Sequence, residues 1–566
     1  MHQFLSIVFF LCTLTGLCQS LPNKGDNYTP TYSEMLEFYR EVANRDGFSL
    51  WNAGETDSGE PLHVLEYLPK GFSRSTGMVL LINNAIHPGE PCGVNACMEL
   101  IQDVIAEKIQ LKNTALVIIP GYNIGGMKNR SSYSRANQEG PDEYGFRGNA
   151  KNLDLNRDFI KMDSKNSFAF ARVFHKWKPE VFVDTHTSNG ADYPYTGTLI
   201  TTQLGKLGEP LASYVKNKLE PSLYANIHTK GWPMVPYIFG FNGKDTPLEG
   251  GISDYMDSPR YSTGYTALFG TVGFVTEAHM YKSFQDRVAF TKSFLKEMMV
   301  WMDQPVNNVD FKKTQQKHWD AIRKAKELGI NWTIDSIATD SLPFTQYKKI
   351  YEKSAVTGLQ HWKYDKEQKE SGIIPFRRNV STTLRKVPDY YLIPKAYTKV
   401  IQRLLVNGVL LEEYASTGQP TFAYKINSIK ATPTPYEGHF FIYDMELDTL
   451  PYAAHAVSYV KVRTNQLAKR YIVEVLEPDA MDSFFRWNFF NSSLQQKEYF
   501  SPYSFEPKMK EYLKSHPELR KKLNRAKAAD PELSRNHHQQ LSWLYENSPF
   551  KERSAHVYPV LFGWEK

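Results

Sequence analysis

The sequence predicts an α/β protein: a mixed, largely parallel sheet with helices on both faces, followed by a β-rich accessory region and a helical C-terminal section. Three observations carry that expectation. Between residues 34 and 302, short apolar strand-like runs alternate with stretches of helical period, the pattern of sheets connected by helical crossovers. Several of those apolar runs stop abruptly in polar side chains. Beyond Pro305 the rhythm changes to short β-branched and aromatic runs broken by Pro, Gly and Asn. With 566 residues, the chain exceeds the size at which one core keeps growing. The expected layout is a leader at 1–20, an α/β unit at 21–305, a mostly β-rich accessory domain at 306–482 and a helical region at 483–566.

In chain order, residues 4–17 form an apolar stretch of secretory length, too short to span a membrane, followed by Cys18-Gln19-Ser20. This predicts an exported protein, secreted or periplasmic, with cleavage near Cys18 or Ser20. Thr31-Tyr32-Ser33-Glu34 has the form of a capping box ahead of a helix at 34–42. Strands are expected at 62–68, 78–83, 115–119, 181–184 and 272–276, and helices at 94–107, 167–177, 210–224 and 284–302. A basic amphipathic helix is expected at 313–327. Asn407-Gly408, between two apolar runs, has the signature of a tight hairpin. Helices are expected again at 507–514 and 517–529.

Charge excludes one class of function. The net charge is +6 across the chain, and the basic stretch 508–527 is interrupted by Glu511 and Glu518, as on a solvated helix face. No nucleic-acid partner is expected, and no feature sets an oligomeric state. Once the leader is removed, Cys92 and Cys97 remain. Export permits a disulfide; a bridge would require Cys92 to lie in the non-helical entry to its helix, and two small buried thiols are the equal alternative.

The polar ends of the apolar runs carry the chemistry. Leu81-Ile82-Asn83-Asn84-Ala85-Ile86-His87-Pro88-Gly89-Glu90 ends in an imidazole and a carboxylate three positions apart, with Gly89 expected to let the backbone turn between them. Glu180-Val181-Phe182-Val183-Asp184-Thr185-His186 ends in a second histidine. Two histidines and one glutamate are a recurring catalytic zinc set, with one position left for water or substrate. Asn152-Leu153-Asp154-Leu155-Asn156-Arg157-Asp158 lies between them, and Thr271-Val272-Gly273-Phe274-Val275-Thr276-Glu277 ends in a carboxylate. Singly, each has an ordinary reading: Arg157 and Asp158 as a surface ion pair, Asp154 as a turn residue, Glu277 as a strand-edge acid. Jointly, they are what an open α/β sheet presents along its ligand-binding edge.

With these four motifs in this order, the region from about 30 to 300 resembles the M14 family of zinc carboxypeptidases. The resemblance implies one zinc ion held by His87, Glu90 and His186, with Asp154 orienting a ligand histidine. Asn156 and Arg157 would dock the terminal carboxylate of a peptide or amide substrate, and Glu277 would be the general base and acid. Arg135 is the choice for polarising the scissile carbonyl, with Arg147 and Arg130 as competitors. Tyr255, Tyr261 and Tyr265 are the candidates for a tyrosine that caps the substrate. Two other readings are a zinc amidohydrolase on the same fold, acting on cell-wall peptides or acylated amino acids, and a binding module that has lost catalysis.

Overall fold

Strands that are apolar along their whole length must be covered on both faces, and they form the middle of the central sheet. The computed structural model describes residues 25–337, 340–415, 420–453 and 458–565. The expected leader at 1–20 lies outside the described residues. The sheet is built from β1 (Phe48–Glu55), β2 (Pro61–Tyr67), β3 (Met78–Asn83), β4 (Thr114–Ile119), β5 (Val181–Ser188), β6 (Gly197–Thr201), β7 (Met234–Pro236) and β9 (Val272–His279). Its order is β1-β2-β4-β3-β5-β9-β6-β7. The run β4-β3-β5-β9 is parallel, and every residue of β3, β4 and β5 is buried. Antiparallel pairs flank it, β1 with β2, β2 with β4, and β6 with β9.

Register places the chemistry. Asn83 pairs with Asp184 across β3 and β5, and His186 pairs with Glu277 across β5 and β9. Because the paired strands are parallel, their polar C-terminal ends open on the same edge of the sheet.

The helices largely follow the expected periods. The Tyr32–Val42 helix starts at a capping box in which Thr31 and Glu34 each accept from the other's backbone N–H. The helix Cys92–Ile105 begins at Cys92 itself, and both thiols are buried and unbridged. The buried-thiol alternative therefore holds, since Cys92 is helical. The helix expected at 313–327 lies at Pro305–Lys324 and ends before β10 (Glu327–Ile334).

The chain divides into two compact units. The first runs to Lys386 and includes 406–408 and 465–472; the second holds 387–405, 409–464 and 473–566. The first unit thus continues beyond the expected break after residue 305, because Phe311 on the Pro305–Lys324 helix is buried in the same core as Phe294 and Met298. It also contains a long hairpin, β11 (Asp340–Lys353) with β12 (Gln360–Arg377), whose end pairs in parallel with β8 (Ile252–Ser253), and a ribbon of β10 with β13 (Asn379–Lys386).

The second unit has a six-stranded sheet and a helical section at the C-terminus with its own apolar cluster, including Phe505, Met509, Leu523, Leu541 and Leu544. Asn407-Gly408 makes no hairpin. The residues before it form the helix Thr398–Val406, in which Val400 and Leu404 lie one turn apart and are both buried. Gly408, at φ +71, ends that helix while the Val409 N–H donates to the Leu404 carbonyl over 3.0 Å, the bond pattern of a glycine stop.

Candidate active site

The strand-end residues converge. His87, Glu90 and His186 are each about 3% exposed, and one ligand atom from each lies within 4.8 Å of the other two. They are the one group of this kind among the described residues. The Nε2 atom of His87 is 2.9 Å from Asp154 Oδ1, which leaves Nδ1 facing Glu90 Oε1 at 3.3 Å. His186 Nδ1 is 3.1 Å from Glu90 Oε2, and its Nε2 is 3.3 Å from Asp184 Oδ2. Each imidazole therefore has a carboxylate behind it and its Nδ1 turned toward the common point, and the buried Nδ1 of His87 has no hydrogen-bond partner. Two imidazole nitrogens, a carboxylate oxygen and an outer carboxylate for each ring are the donor set zinc takes. Asp184 was not singled out from sequence. Its signal was present, since a residue two places before His186 on a strand points to the same face.

Charges follow the same geometry. Burial opposes ionisation of Glu90, but Arg135 and His87 hold its carboxyl well below the usual carboxylate range. Burial likewise opposes the charge on His186, while Asp184 and Glu90 raise its pKa well above the ordinary value. Asp154 is only partly exposed; its desolvation opposes charge too, but His87, Arg147 and Arg157 keep its carboxyl strongly depressed. Glu277 differs. Burial pushes it up to about 7 against the lowering effect of His186, which suits a group that must both take and return a proton.

A cavity of about 250 Å³ opens at these residues and is lined by Arg135, Arg147, Asn156, Arg157, Tyr255 and Glu277, among others. Arg157 lies against the Tyr261 ring, 4.5 Å from its centre, and its Nη1 donates to the Asn156 carbonyl at 2.9 Å. It does not form the surface pair with Asp158. That carboxylate is fully buried and accepts from Lys161, from Ser164 and from Ser167, so it anchors the turn that carries Asn156 and Arg157.

The three candidate arginines separate. Arg130 donates to the backbone carbonyls of Thr29, Pro30 and Glu143 and is structural. Arg135 spends all three of its nitrogens on the protein: Nε on Gln138 at 2.9 Å, Nη1 on Glu90 at 2.7 Å and Nη2 on the Thr187 carbonyl at 3.2 Å. Arg147 is held by Asp154 at 2.9 Å, but its side chain is 44% exposed at the cavity. The arginine also explains Gly89 differently from the sequence reading. The glycine's φ is not positive; a Cβ there would sit 2.6 Å from Arg135 Cδ, so the glycine leaves room for that side chain.

Among the tyrosines, Tyr255 and Tyr261 line the cavity, and the Tyr255 ring packs against Tyr237, Phe239 and Tyr261. Tyr265 is not at the site. It is 1% exposed and its hydroxyl donates to Asn407 and faces His175, because its helix Ser262–Ala267 turns that side inward. Tyr237 and Phe239, missed from sequence, follow the short edge strand β7, which is too brief to show a period. Among the described residues the exposed pair His537-His538 belongs to no metal-binding group of three, and His537 Nε2 is 3.5 Å from Glu506 Oε2.

The model of the family described as zinc carboxypeptidase matches residues 35–367. The chain belongs to the zinc carboxypeptidase family. It is a metallopeptidase by that membership, and the α/β fold expected from sequence is the fold observed. Carboxypeptidase 2 of Trichophyton tonsurans is 22% identical over 492 residues, covering 80% of this chain and 83% of that protein. Among solved structures, the metallo-carboxypeptidase from Burkholderia cenocepacia is 16% identical with a TM-score of 0.37, covering 49% of this chain and 69% of that one. Carboxypeptidase A from Helicoverpa armigera is 12% identical with a TM-score of 0.37, covering 52% and 74%. No helix among the described residues is long and apolar enough to cross a membrane.

Proposed function

We propose that this zinc carboxypeptidase is an exported exopeptidase that releases residues from the C-terminus of peptides, using one zinc ion and Glu277 as the proton carrier. The observation that carries the reading is the register of β5 with β9, which sets Glu277 beside the ligand His186 in the cavity that Asn156 and Arg157 also line. His87, Glu90 and His186 would hold the zinc ion, which would supply Lewis-acid activation of the attacking water and the scissile carbonyl.

The chain's own groups do the rest. Arg157 receives the substrate's terminal carboxylate, because a guanidinium donates two parallel bonds to such a group. Asn156 lies beside it, and Tyr255, packed against the Tyr261 ring that Arg157 lies on, forms an aromatic wall of the same cavity. Arg147 is assigned the carbonyl oxygen in preference to Arg135 because its side chain is 44% exposed at the cavity against 16% for Arg135, and its Nη1 is held only by the 3.5 Å approach to Glu90 Oε1. Glu277 takes a proton from the water and delivers it to the leaving amine, and a carboxyl poised near 7 exchanges protons in both directions at neutral pH. Asp154 Oδ1, 2.9 Å from His87 Nε2, and Asp184 Oδ2, 3.3 Å from His186 Nε2, stand behind the two imidazoles, so that each Nδ1 faces Glu90.

The test is product analysis by mass spectrometry on a mixed peptide library with zinc-loaded enzyme. Single residues lost from free C-termini are expected, and Glu277→Gln should lower turnover roughly 100- to 10,000-fold with zinc content unchanged. Cleavage of acylated amino acids alone would transfer the assignment to an amidohydrolase. Internal cleavage with no loss of terminal residues would refute the exopeptidase reading.

A further inference from the structure

The hairpin Asp340–Arg377 contributes no side chain to the lining of the catalytic cavity, yet it grips both segments that wall it. One wall is the end of β5 and the stretch after it, where Ser188 and Asn189 line the cavity. Three residues on, the buried Asp192 carboxylate is 3.1 Å from Lys366 Nζ on β12 and 2.9 Å from Lys282. Close by, the Tyr195 hydroxyl accepts from the Thr345 N–H of β11 at 2.9 Å. The other wall is the segment leading to Tyr255. Its β8 residues Ile252 and Ser253 pair with Phe376 and Arg377 of β12. The Asp254 N–H donates to the Arg377 carbonyl at 2.8 Å, and Arg377 Nη1 donates to the Gly250 carbonyl at 3.2 Å.

The approach is close. Gly251 has φ +71, and a Cβ there would lie 2.3 Å from the Pro375 carbonyl oxygen; a larger residue is excluded by both the backbone conformation and the contact. Between the two grips lies a shared apolar cluster that joins Tyr193, Tyr195 and Ile252 to Phe344, Ile374 and Phe376. A two-stranded hairpin is marginally stable by itself, so this cluster and the β8 pairing are what fix it, and it fixes them in return. Both wall segments are tied to the same ribbon.

We propose that the hairpin Asp340–Arg377 is a positioning element of the substrate site, setting the spacing between the Ser188–Asn189 wall and the Tyr255 wall, with Lys366 and the Gly251–Pro375 contact as its two clamps. The proposal rests on the carboxypeptidase reading, because it is expressed through substrate binding. Neither clamp touches a metal ligand, Glu277 or Arg157, so loosening one acts on capture of substrate and leaves the chemistry in place.

The experiment is steady-state kinetics on the full-length, zinc-loaded enzyme with a free-carboxylate peptide that the wild type cleaves. Lys366→Ala should raise KM about three- to tenfold, with kcat, zinc content and Tm near wild type, since Lys282 still pairs with Asp192. Lys366→Arg should restore KM. Gly251→Ala should raise KM by about tenfold or more, because misplacing a substrate-positioning element by about an ångström can cost up to about 100-fold. Should Gly251→Ala fail to fold, Tyr195→Phe combined with Lys366→Ala opens the other clamp without touching backbone, and the same rise in KM is expected. Unchanged KM in Lys366→Ala and in the Gly251→Ala or double variant overturns the proposal, as does a fall in kcat at constant KM. Wild-type enzyme that cleaves no peptide C-terminus would instead refute the carboxypeptidase reading, so the two failures are distinct.

Discussion

Replacing Asp154 by asparagine isolates what the outer carboxylate does for the metal site. Asp154 Oδ1 accepts from His87 Nε2 and from the Asn156 N–H, both at 2.9 Å, and Oδ2 accepts from Arg147 Nε at 2.9 Å. An asparagine has the same shape but only one acceptor oxygen. Turned toward His87, it sets its NH₂ against the Arg147 guanidinium; turned toward Arg147, it leaves the His87 Nε2 proton without an acceptor. In the second orientation the imidazole no longer has a reason to keep its proton on Nε2, and a proton on Nδ1 removes the ligand. Loss of such an outer partner weakens metal affinity about 10- to 100-fold, which corresponds to roughly 1.4–2.7 kcal/mol. Competition for zinc against a chromophoric chelator measures it, with circular dichroism as the check on folding. A zinc dissociation constant within about twofold of wild type would refute the orienting role of Asp154.

Three further outcomes follow from named contacts. Arg157→Ala should weaken cleavage of peptides with a free C-terminus, and C-terminal amidation should cost wild type about as much; the two together should cost little more than either alone, because they remove one contact from opposite sides. Asp158→Asn should destabilise the fold by about 3 kcal/mol, the lower end for breaking a buried ion pair, since Lys161 retains Asp163 at 2.8 Å; an unchanged urea midpoint would disprove it. Stability should also fall on acidification. Burial holds His175 and His318 down at about 4, so both are neutral in the fold while the unfolded chain takes up protons below about 6.5. Their contribution is fully present above that pH and is lost between about 6.5 and 4, at most about 3 kcal/mol for the well-buried His318 and less for the partly exposed His175. Tm measured across that window should drop, and His318→Gln should flatten the slope.

Local chemistry encodes the part of this fold that is legible in the chain alone. Apolar runs of strand length that are rich in β-branched residues and stop at polar or turn residues read as strands buried on both faces, so β3, β5 and β9 were legible, and a polar residue at the end of such a run faces the edge of the sheet. His87, Glu90, His186 and Glu277 were found that way, and the capping box at Thr31 and Glu34 is likewise complete within four consecutive residues. The tertiary structure alone decided matters that depend on partners distant in the chain. Burial of Tyr265 is set by His175 and Asn407, and Gly89 is small because Arg135 crosses it. The continuation of the first unit past residue 305 follows from the apolar contacts of Phe311. Asn407-Gly408 shows the same division within a few residues: the dipeptide reads equally as a hairpin turn or a helix stop. The choice fell to the helix because Val400 and Leu404, one turn apart, both found a buried face, and side-chain burial outweighs the preference of a two-residue turn.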